Sequence, residues 1–145
     1  GRNLASRGGP ASVREHTGGG RTCFIPTPNG TALKKALDEM LKVYDVAFEG
    51  DGAVRGGYLT YLHKVIGGRQ VYFFANSSDA PVDVNVRLRG AHKLEAWDPH
   101  TGQIAACDCR TATEDGCEVT RVHLQLPAVR SIFLVGTSET RGGKE

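Results

Sequence analysis

The stretch VDVNVRLR, residues 82–89, decides the fold class of this chain. Its apolar residues alternate strictly with Asp83, Asn85, Arg87 and Arg89. Because side chains along a strand point to alternate faces, this period of two puts the apolar side chains on one face and the polar ones on the other. A strand with one buried and one solvated face is typical of an antiparallel sheet.

The segments around residues 82–89 have the same strand-like character. Residues 58–66 and 70–76 are rich in β-branched and aromatic side chains, and Gly67-Gly68-Arg69 between them indicates a hairpin, because glycine tolerates the positive φ angles of tight turns. Further short strands are predicted at 93–97, 122–126 and 129–135. Together these short strands predict a mainly β fold, an antiparallel β-sandwich over residues 58–136.

The first 57 residues predict a different organisation. Residues 1–20 hold six glycines and no apolar periodicity, which predicts a flexible lead-in. Residues 21–45 predict a short strand and then an amphipathic helix with Thr31 as its N-cap. The apolar residues at helical spacing are Leu33, Leu37, Met40, Leu41 and Tyr44. The Gly-rich and acidic residues 46–57 predict a linker, and residues 137–145 a polar tail.

The composition narrows the class of protein. The chain has 145 residues, of which 39% are hydrophobic, and a formal net charge of +2. This size and apolar share fit one compact domain, or a small domain with a fragment of another. The near-neutral charge predicts no nucleic-acid partner, because such binding rests on clustered Lys and Arg. No run of 18 apolar residues occurs, so neither a membrane span nor a membrane partner is predicted.

The four cysteines leave the redox environment open. Cys23, Cys107, Cys109 and Cys117 allow three disulfide pairings, and a chain of this length does not need disulfides to fold. Zinc ligation by thiolates and a histidine is an alternative, but the C-x-C spacing lacks the paired C-x2-C knuckles of specific zinc sites. The sequence therefore predicts no metal site and no cofactor.

Acidic residues are candidates for glycosidic bond cleavage, which needs two facing carboxyl groups. The candidates are Glu49, Asp51, Glu95, Asp98, Glu114, Asp115 and Glu118. All are interpreted as loop residues, where acidic side chains are usually solvated parts of turns. The serines and histidines show no nucleophile-elbow context. No catalytic residue is therefore predicted in this chain.

Trp97 is the single tryptophan and the main candidate for binding. An exposed Trp97 would stack on the apolar face of a sugar together with Tyr72, while Asp98 and Asn76 hydrogen-bond its hydroxyl groups. The competing interpretation is that Trp97 anchors the core of a small sandwich. The residues alone leave both interpretations open.

Four strings of the sequence resemble one enzyme family. They are YLHK at 61–64, VYFFAN at 71–76, SDAPV at 78–82 and LEAWDPHTGQI at 94–104. In this order and spacing they resemble the region that follows the catalytic barrel in glycoside hydrolase family 106, the α-L-rhamnosidase-like enzymes.

The resemblance implies an architecture and a location. Residues 21–45 would be the strand-helix remnant of a preceding α/β domain, and the strands after them a β-sandwich. In that family the catalytic carboxylates and any calcium site lie in the barrel, which this chain lacks, so no residue here inherits a catalytic role. A secreted or periplasmic location is also implied.

The expected function is that of a non-catalytic C-terminal accessory module of a polysaccharide-degrading glycoside hydrolase. Its partner would be the catalytic barrel of the parent enzyme, with a plant-type polysaccharide as a second candidate partner. One alternative is a carbohydrate-binding module that uses Trp97 and nearby Tyr residues. Another is an adhesion or assembly sandwich that pairs through an open sheet edge.

Overall fold

The computed structural model describes residues 12–49 and 58–138, with side chains as far as residue 136. These residues are 58% strand and 9% helix, which confirms the predicted mainly β class. The chain divides into two compact units, Gly1–Lys42 and Val43–Glu145. None of the helices in the described ranges is long and apolar enough to cross a membrane.

The first unit begins with a hairpin. Strands β1 (Ser12–Glu15) and β2 (Arg21–Phe24) pair antiparallel through a turn in which Gly19 has a φ of 82°. The predicted flexible lead-in is therefore wrong for residues 12–15, because pairing with β2 gives their backbone groups hydrogen-bond partners. The other part of that prediction, residues 1–11, lies outside the described residues.

Helix α1 (Gly30–Met40) follows the hairpin. Its N-cap is Asn29, whose side-chain oxygen accepts a hydrogen bond from the backbone amide three residues on, at 2.8 Å. Thr31 lies inside the first turn, so the predicted cap is two residues too late. The predicted apolar stripe extends beyond the helix, because Leu41 is the C-cap and Tyr44 follows it. Three of its members, Leu33, Leu37 and Leu41, are exposed.

The second unit is an antiparallel β-sandwich. Its strands, in chain order, are β3 (Val46–Glu49), β4 (Leu59–Ile66), β5 (Arg69–Asn76), β6 (Val82–Arg89), β7 (His92–Trp97), β8 (Ile104–Ala106), β9 (Cys109–Glu114), β10 (Cys117–Leu126) and β11 (Arg130–Ser138). A four-stranded sheet has the order β3-β6-β10-β9, and a five-stranded sheet has the order β4-β5-β11-β7-β8. All neighbouring strands within both sheets run antiparallel.

The core lies between the two sheets. Strands β6 and β10 contribute alternate apolar side chains from one sheet, and β5, β7 and β11 contribute them from the other. The buried core residues are Val46, Leu59, Tyr72, Phe74, Val82, Val84, Val86, Leu88, Leu94, Val122, Leu124, Leu126 and Leu134. In β6 the burial alternates as the sequence predicts, with the four apolar residues buried between more exposed polar ones.

Two tight hairpin turns fix the register of the sheets. Gly67 and Gly68 join β4 to β5 with φ angles of 56° and 78°, as the sequence predicts. Asp115 and Gly116 join β9 to β10 with φ angles of 48° and 73°. Turns with two positive φ angles match the twist of the strands they connect. The Asp-Gly pair is itself a hairpin signal, which the interpretation of Glu114, Asp115 and Glu118 as loop acids overlooks.

The structure corrects the predicted boundaries. Residues 46–49 are not linker, because Val46 and Phe48 pack on the core and the strand pairs with β6. The rest of the predicted linker, residues 50–57, lies outside the described part of the chain. Residues 137 and 138 extend β11 into the predicted polar tail, and the remainder of that tail is likewise not described.

Candidate functional site

The outer face of the five-stranded sheet carries a row of apolar side chains that crosses every strand. The register places Leu62 beside Phe73, Phe73 beside Phe133, Phe133 beside Trp97, and Trp97 beside Ile104. Outer faces of antiparallel sheets are ordinarily polar when they face water. These five residues, which we call the apolar row, are therefore the first candidate for a functional surface.

The two ends of the apolar row are open to solvent and its centre is half-buried. Leu62 is 51% exposed and Ile104 is 58% exposed, whereas Phe73, Phe133 and Trp97 are intermediate. The rings of Phe73 and Phe133 have their centroids 4.8 Å apart at an interplanar angle of 44°. The aromatic centre is thus packed in place by its own neighbours, which gives the face a defined shape.

Trp97 lies on this face with its polar edge satisfied. Its indole N–H donates to the Glu95 carboxylate at 3.0 Å. The Arg69 guanidinium carbon is 5.8 Å from the Trp97 ring centroid, and its nitrogen is 3.9 Å from the same Glu95 carboxylate. A cation over an indole at an exposed site stabilises by about 0.5–1 kcal/mol. A ligand that stacks on this face of Trp97 must therefore displace Arg69.

Strand β4, at the edge of the same sheet, is unusually apolar for an exposed edge. Tyr61, Leu62, Val65 and Ile66 are all exposed, and they lie on both faces of the strand. The two-residue turn makes Ile66 a hydrogen-bonded partner of Arg69, so the backbone groups of Tyr61 and Val65 point away from β5. An exposed apolar edge of this kind is a site at which another strand can pair, and native proteins protect such edges with charges, bulges or a covering segment.

Two of the four predicted sugar-binding residues are buried in the second unit. Tyr72 is fully buried, with its ring stacked on His63 at 4.0 Å and its hydroxyl 3.4 Å from His92 Nε2. Burial raises the pKa of the Tyr72 hydroxyl well above its usual range, and the negative charge of Asp45 raises it by a smaller amount. A buried ring cannot stack on a sugar, so Tyr72 serves the core.

Asn76 is also buried, and it holds two turns. Its side-chain nitrogen donates to the carbonyl oxygens of Ala80 at 2.8 Å and Pro127 at 3.0 Å. Its side-chain oxygen accepts from the backbone amide and the hydroxyl of Ser78, at 3.0 and 2.7 Å. These bonds satisfy its donors and acceptor inside the protein, which leaves no group for a sugar hydroxyl.

Asp98 and Trp97 remain together at the end of β7. The Asp98 carboxylate accepts from the backbone amide of His100 at 2.7 Å and closes the turn before β8. That bond, with bonds from Thr101, holds the pKa of the Asp98 carboxyl below its usual range. Trp97 and Asp98 are therefore the two candidates that lie at one surface, and the Asp98 carboxylate already forms the hydrogen bonds of a turn.

His63 has both ring nitrogens occupied, as expected for a structural histidine. Nδ1 lies 2.9 Å from the Asp45 carboxylate and Nε2 lies 2.8 Å from the Gln70 side-chain oxygen. Asp45 also lies 3.4 Å from the Arg89 guanidinium on the other sheet. This polar contact connects β4 to the four-stranded sheet, and no sequence pattern links residues so far apart.

The outer face of the four-stranded sheet is charged, in contrast to the apolar row. Glu114 accepts from Arg87 at 2.8 Å and from Arg121 at 2.7 Å, and Arg121 also donates to Glu49 at 2.7 Å. Hydrogen bonds from Arg121 and Arg87 hold the pKa of the Glu114 carboxyl below its usual range. The interpretation of Glu49 and Glu114 as loop acids is therefore wrong, because both are strand residues with arginine partners. It is also wrong for Glu95 in β7 and Glu118 in β10, which are strand residues as well.

The described residues contain no group of three or more His, Cys, Asp or Glu side chains arranged to hold a metal ion. All four cysteines are unpaired thiols. Burial raises the pKa of the Cys107 thiol to about 11, with smaller effects from Cys109 and Asp108. A thiol with so little thiolate at neutral pH is a poor nucleophile.

Among solved structures, the chain is similar to a rhamnosidase from Novosphingobium sp. PP1Y, with a TM-score of 0.60 and 24% sequence identity. The alignment covers 77% of this chain and 10% of that chain, so this chain spans about a tenth of its length. The likeness establishes a shared, rhamnosidase-like fold. No protein-family model and no curated protein matches the sequence.

Proposed function

We propose that this chain is a non-catalytic accessory β-sandwich of a glycoside hydrolase of the α-L-rhamnosidase-like family 106, and that the apolar row packs against the catalytic barrel. The observation that carries the proposal is the apolar row itself. Its ends, Leu62 and Ile104, are exposed, and further exposed apolar side chains lie along β4 at the edge of the same sheet. The described outer face of the four-stranded sheet carries ion pairs instead. Burying apolar surface is favourable by about 25 cal/mol per Å². Covering the apolar row would therefore contribute favourable free energy to the binding of a partner domain.

The fold relationship supports a partner within the same polypeptide. The rhamnosidase with the shared fold is a chain about ten times as long as its matched part. In such a chain a sandwich of this size is one domain among several, and domains within one chain pack through interfaces that resemble those between proteins. The catalytic barrel is the partner that the sequence resemblance favours.

The carboxyl groups support a non-catalytic role. A glycosidase needs a carboxylic acid whose pKa is raised so that it can donate a proton. Hydrogen bonds instead lower the pKa of the Asp83, Asp98 and Glu114 carboxyl groups. None of these three has the properties of a general acid.

A carbohydrate-binding module remains the second candidate function, on the single observation that Trp97 is not fully buried. With Tyr72 and Asn76 in the interior, such a site is reduced to Trp97, Asp98 and their neighbours. Arg69 already occupies a position over the Trp97 ring. This arrangement favours the docking role over sugar stacking.

Titration with the apolar dye ANS tests the docking proposal on the purified chain. We expect dye fluorescence to rise with the wild-type chain and to fall at least about threefold in the double variant Leu62→Lys with Ile104→Lys, because charges at both ends disrupt the apolar surface. The matched control is Asn85→Lys with Gln125→Lys on the charged sheet, which should bind dye as the wild type does. Equal dye binding by both variants would contradict the proposal, as would hydrolysis of an aryl rhamnoside by the chain alone.

A further inference from the structure

We propose that the charged face of the four-stranded sheet binds an acidic sugar, through Arg110 and the polar side chains around it. A depression of about 330 Å³ lies on this face. Its polar lining residues are Glu49, Asn85, Asp108, Arg110, Arg121 and His123. This site goes beyond the docking role and does not depend on it, because docking uses the outer face of the other sheet.

An uncompensated arginine gives the depression its charge preference. Arg87, Arg121 and Arg110 occupy directly paired positions on three adjacent strands. Like charges in such positions repel each other unless acids compensate them. Glu114 bridges Arg87 and Arg121, whereas Arg110 is exposed and has no ion pair within the described ranges.

A carboxylate from a ligand would complete this row of charges. The guanidinium group presents parallel N–H donors that match a carboxylate in a two-bond geometry. Because Arg110 is exposed and unpaired, it can adopt that geometry without breaking a bond in the protein. Its neighbour Arg121 is held in place by Glu49 and Glu114, which gives the depression one fixed and one adaptable cation.

The neighbouring row supplies partners for hydroxyl groups. Glu49, Asn85 and His123 are paired in register across β3, β6 and β10, and Asp108 precedes β9 beside them. Adjacent strands are about 4.8 Å apart, so these groups extend over about 14 Å. The His123 ring is oriented by a hydrogen bond to Asp83 at 2.5 Å. Carboxylate, amide and imidazole groups in a line suit a ligand with several hydroxyls.

The combination of groups selects the class of ligand. Glu49 and Asp108 would repel a ligand whose polar groups are all anionic, such as a polyphosphate, but they accept hydrogen bonds from hydroxyls. No Phe, Tyr or Trp side chain lines the depression, so stacking does not favour a neutral sugar. A uronate, with one carboxylate among hydroxyl groups, fits both conditions.

Calorimetric titration of the whole chain with trigalacturonate tests the proposal. We expect saturable binding that weakens as salt is raised, and a loss of affinity of about tenfold in Arg110→Gln, because a charge-assisted bond is removed. Arg130→Gln, an exposed arginine at the start of β11, is the matched control and should bind as the wild type does. Unchanged Trp97 fluorescence in each variant shows that the fold is intact.

Two further ligands distinguish an acidic sugar from a plain anion or a plain sugar. A galactose trisaccharide lacks the carboxylate and triglutamate lacks the hydroxyls, so neither should match trigalacturonate. Equal affinity for triglutamate, equal affinity for the galactose trisaccharide, unaltered binding by Arg110→Gln, or no binding of trigalacturonate would each overturn the proposal. None of these results bears on ANS binding at the apolar row, so the two proposals fail independently.

Discussion

The two sheets of the sandwich share one core but differ in the faces they turn outward. The four-stranded sheet presents ion pairs centred on Arg121 and Glu114, a face that water solvates well. The five-stranded sheet presents the apolar row, whose centre holds Phe73 and Phe133 in ring contact. A sandwich that only needed a core would place polar residues on both outer faces. The difference is the basis of our proposal that a partner domain covers the five-stranded sheet, whereas the face of the four-stranded sheet suits a polar ligand.

The largest expected effect on stability comes from a substitution on the inner face of β5, compared with one on its outer face. Phe74 is fully buried between the sheets, so Phe74→Ala should lower the free energy of unfolding by about 3–5 kcal/mol. Phe73, its neighbour on the outer face, is half-buried, so Phe73→Ala should lower it by only about 1–2 kcal/mol. Urea unfolding followed by Trp97 fluorescence measures both. Equal losses would mean that the outer face is as integral to the fold as the core.

A second variant tests how the apolar row is held together. A Cβ atom at Gly136 would lie 2.6 Å from the Lys93 carbonyl oxygen and 2.7 Å from a Leu94 methyl carbon. Gly136→Ala should therefore force β11 and β7 apart, lower stability by about 1–3 kcal/mol and reduce ANS binding by separating Phe133 from Trp97. Gly30→Ala, where an added Cβ meets nothing within 4 Å, is the control. Wild-type stability in Gly136→Ala would contradict the close approach of these strands.

The charged face should make stability depend on acid pH. The pKa of Glu114 is lower in the folded chain than its unfolded value of about 4.3, so its ion pairs stabilise the fold above that value. This contribution should disappear as the pH falls from about 4.3 through the lower folded pKa. Glu114→Gln should flatten the fall in stability over that window, measured by urea unfolding at a series of pH values. An unchanged slope in the variant would show that the ion pairs do not stabilise this face.

The smallest effect on stability, with a visible effect on association, is expected at the β4 edge. Val65 is 62% exposed and its backbone groups point away from β5. Val65→Lys should change unfolding by less than about 0.5 kcal/mol but suppress self-association, because a charge on an edge strand opposes strand pairing. Light scattering after gel filtration, as a function of concentration, measures the association. A wild-type chain that stays monomeric at all concentrations would show that this edge does not attract strands.

The sequence predicted the parts of the fold that depend on short-range patterns. The alternation in residues 82–89 and the Gly67-Gly68 turn each act within a few residues, and the structure has both. Strand β3 was missed because its four residues precede an acidic, Gly-rich stretch. Strand β9 was missed because its sequence, CRTATE, has no apolar alternation.

The candidate surfaces were harder to predict because they depend on register. The apolar row joins Leu62, Phe73, Trp97, Ile104 and Phe133, which are far apart in the chain and meet only when five strands are paired. The sequence identified Trp97 but could not tell which face it would lie on. Tyr72 was misassigned for the same reason, since it is one residue from Phe73 and points to the opposite side of the sheet.

Trp97 fluorescence tests the central claim most directly, because the only tryptophan lies in the apolar row. The chain would be titrated in parallel with ANS and with rhamnose-containing oligosaccharides while the Trp97 emission is recorded. We expect ANS to quench Trp97, with the effect lost in Leu62→Lys with Ile104→Lys, and the oligosaccharides to leave the emission unchanged. A saturable response of Trp97 to an oligosaccharide, with no response to ANS, would contradict the docking account and establish a sugar-binding face instead.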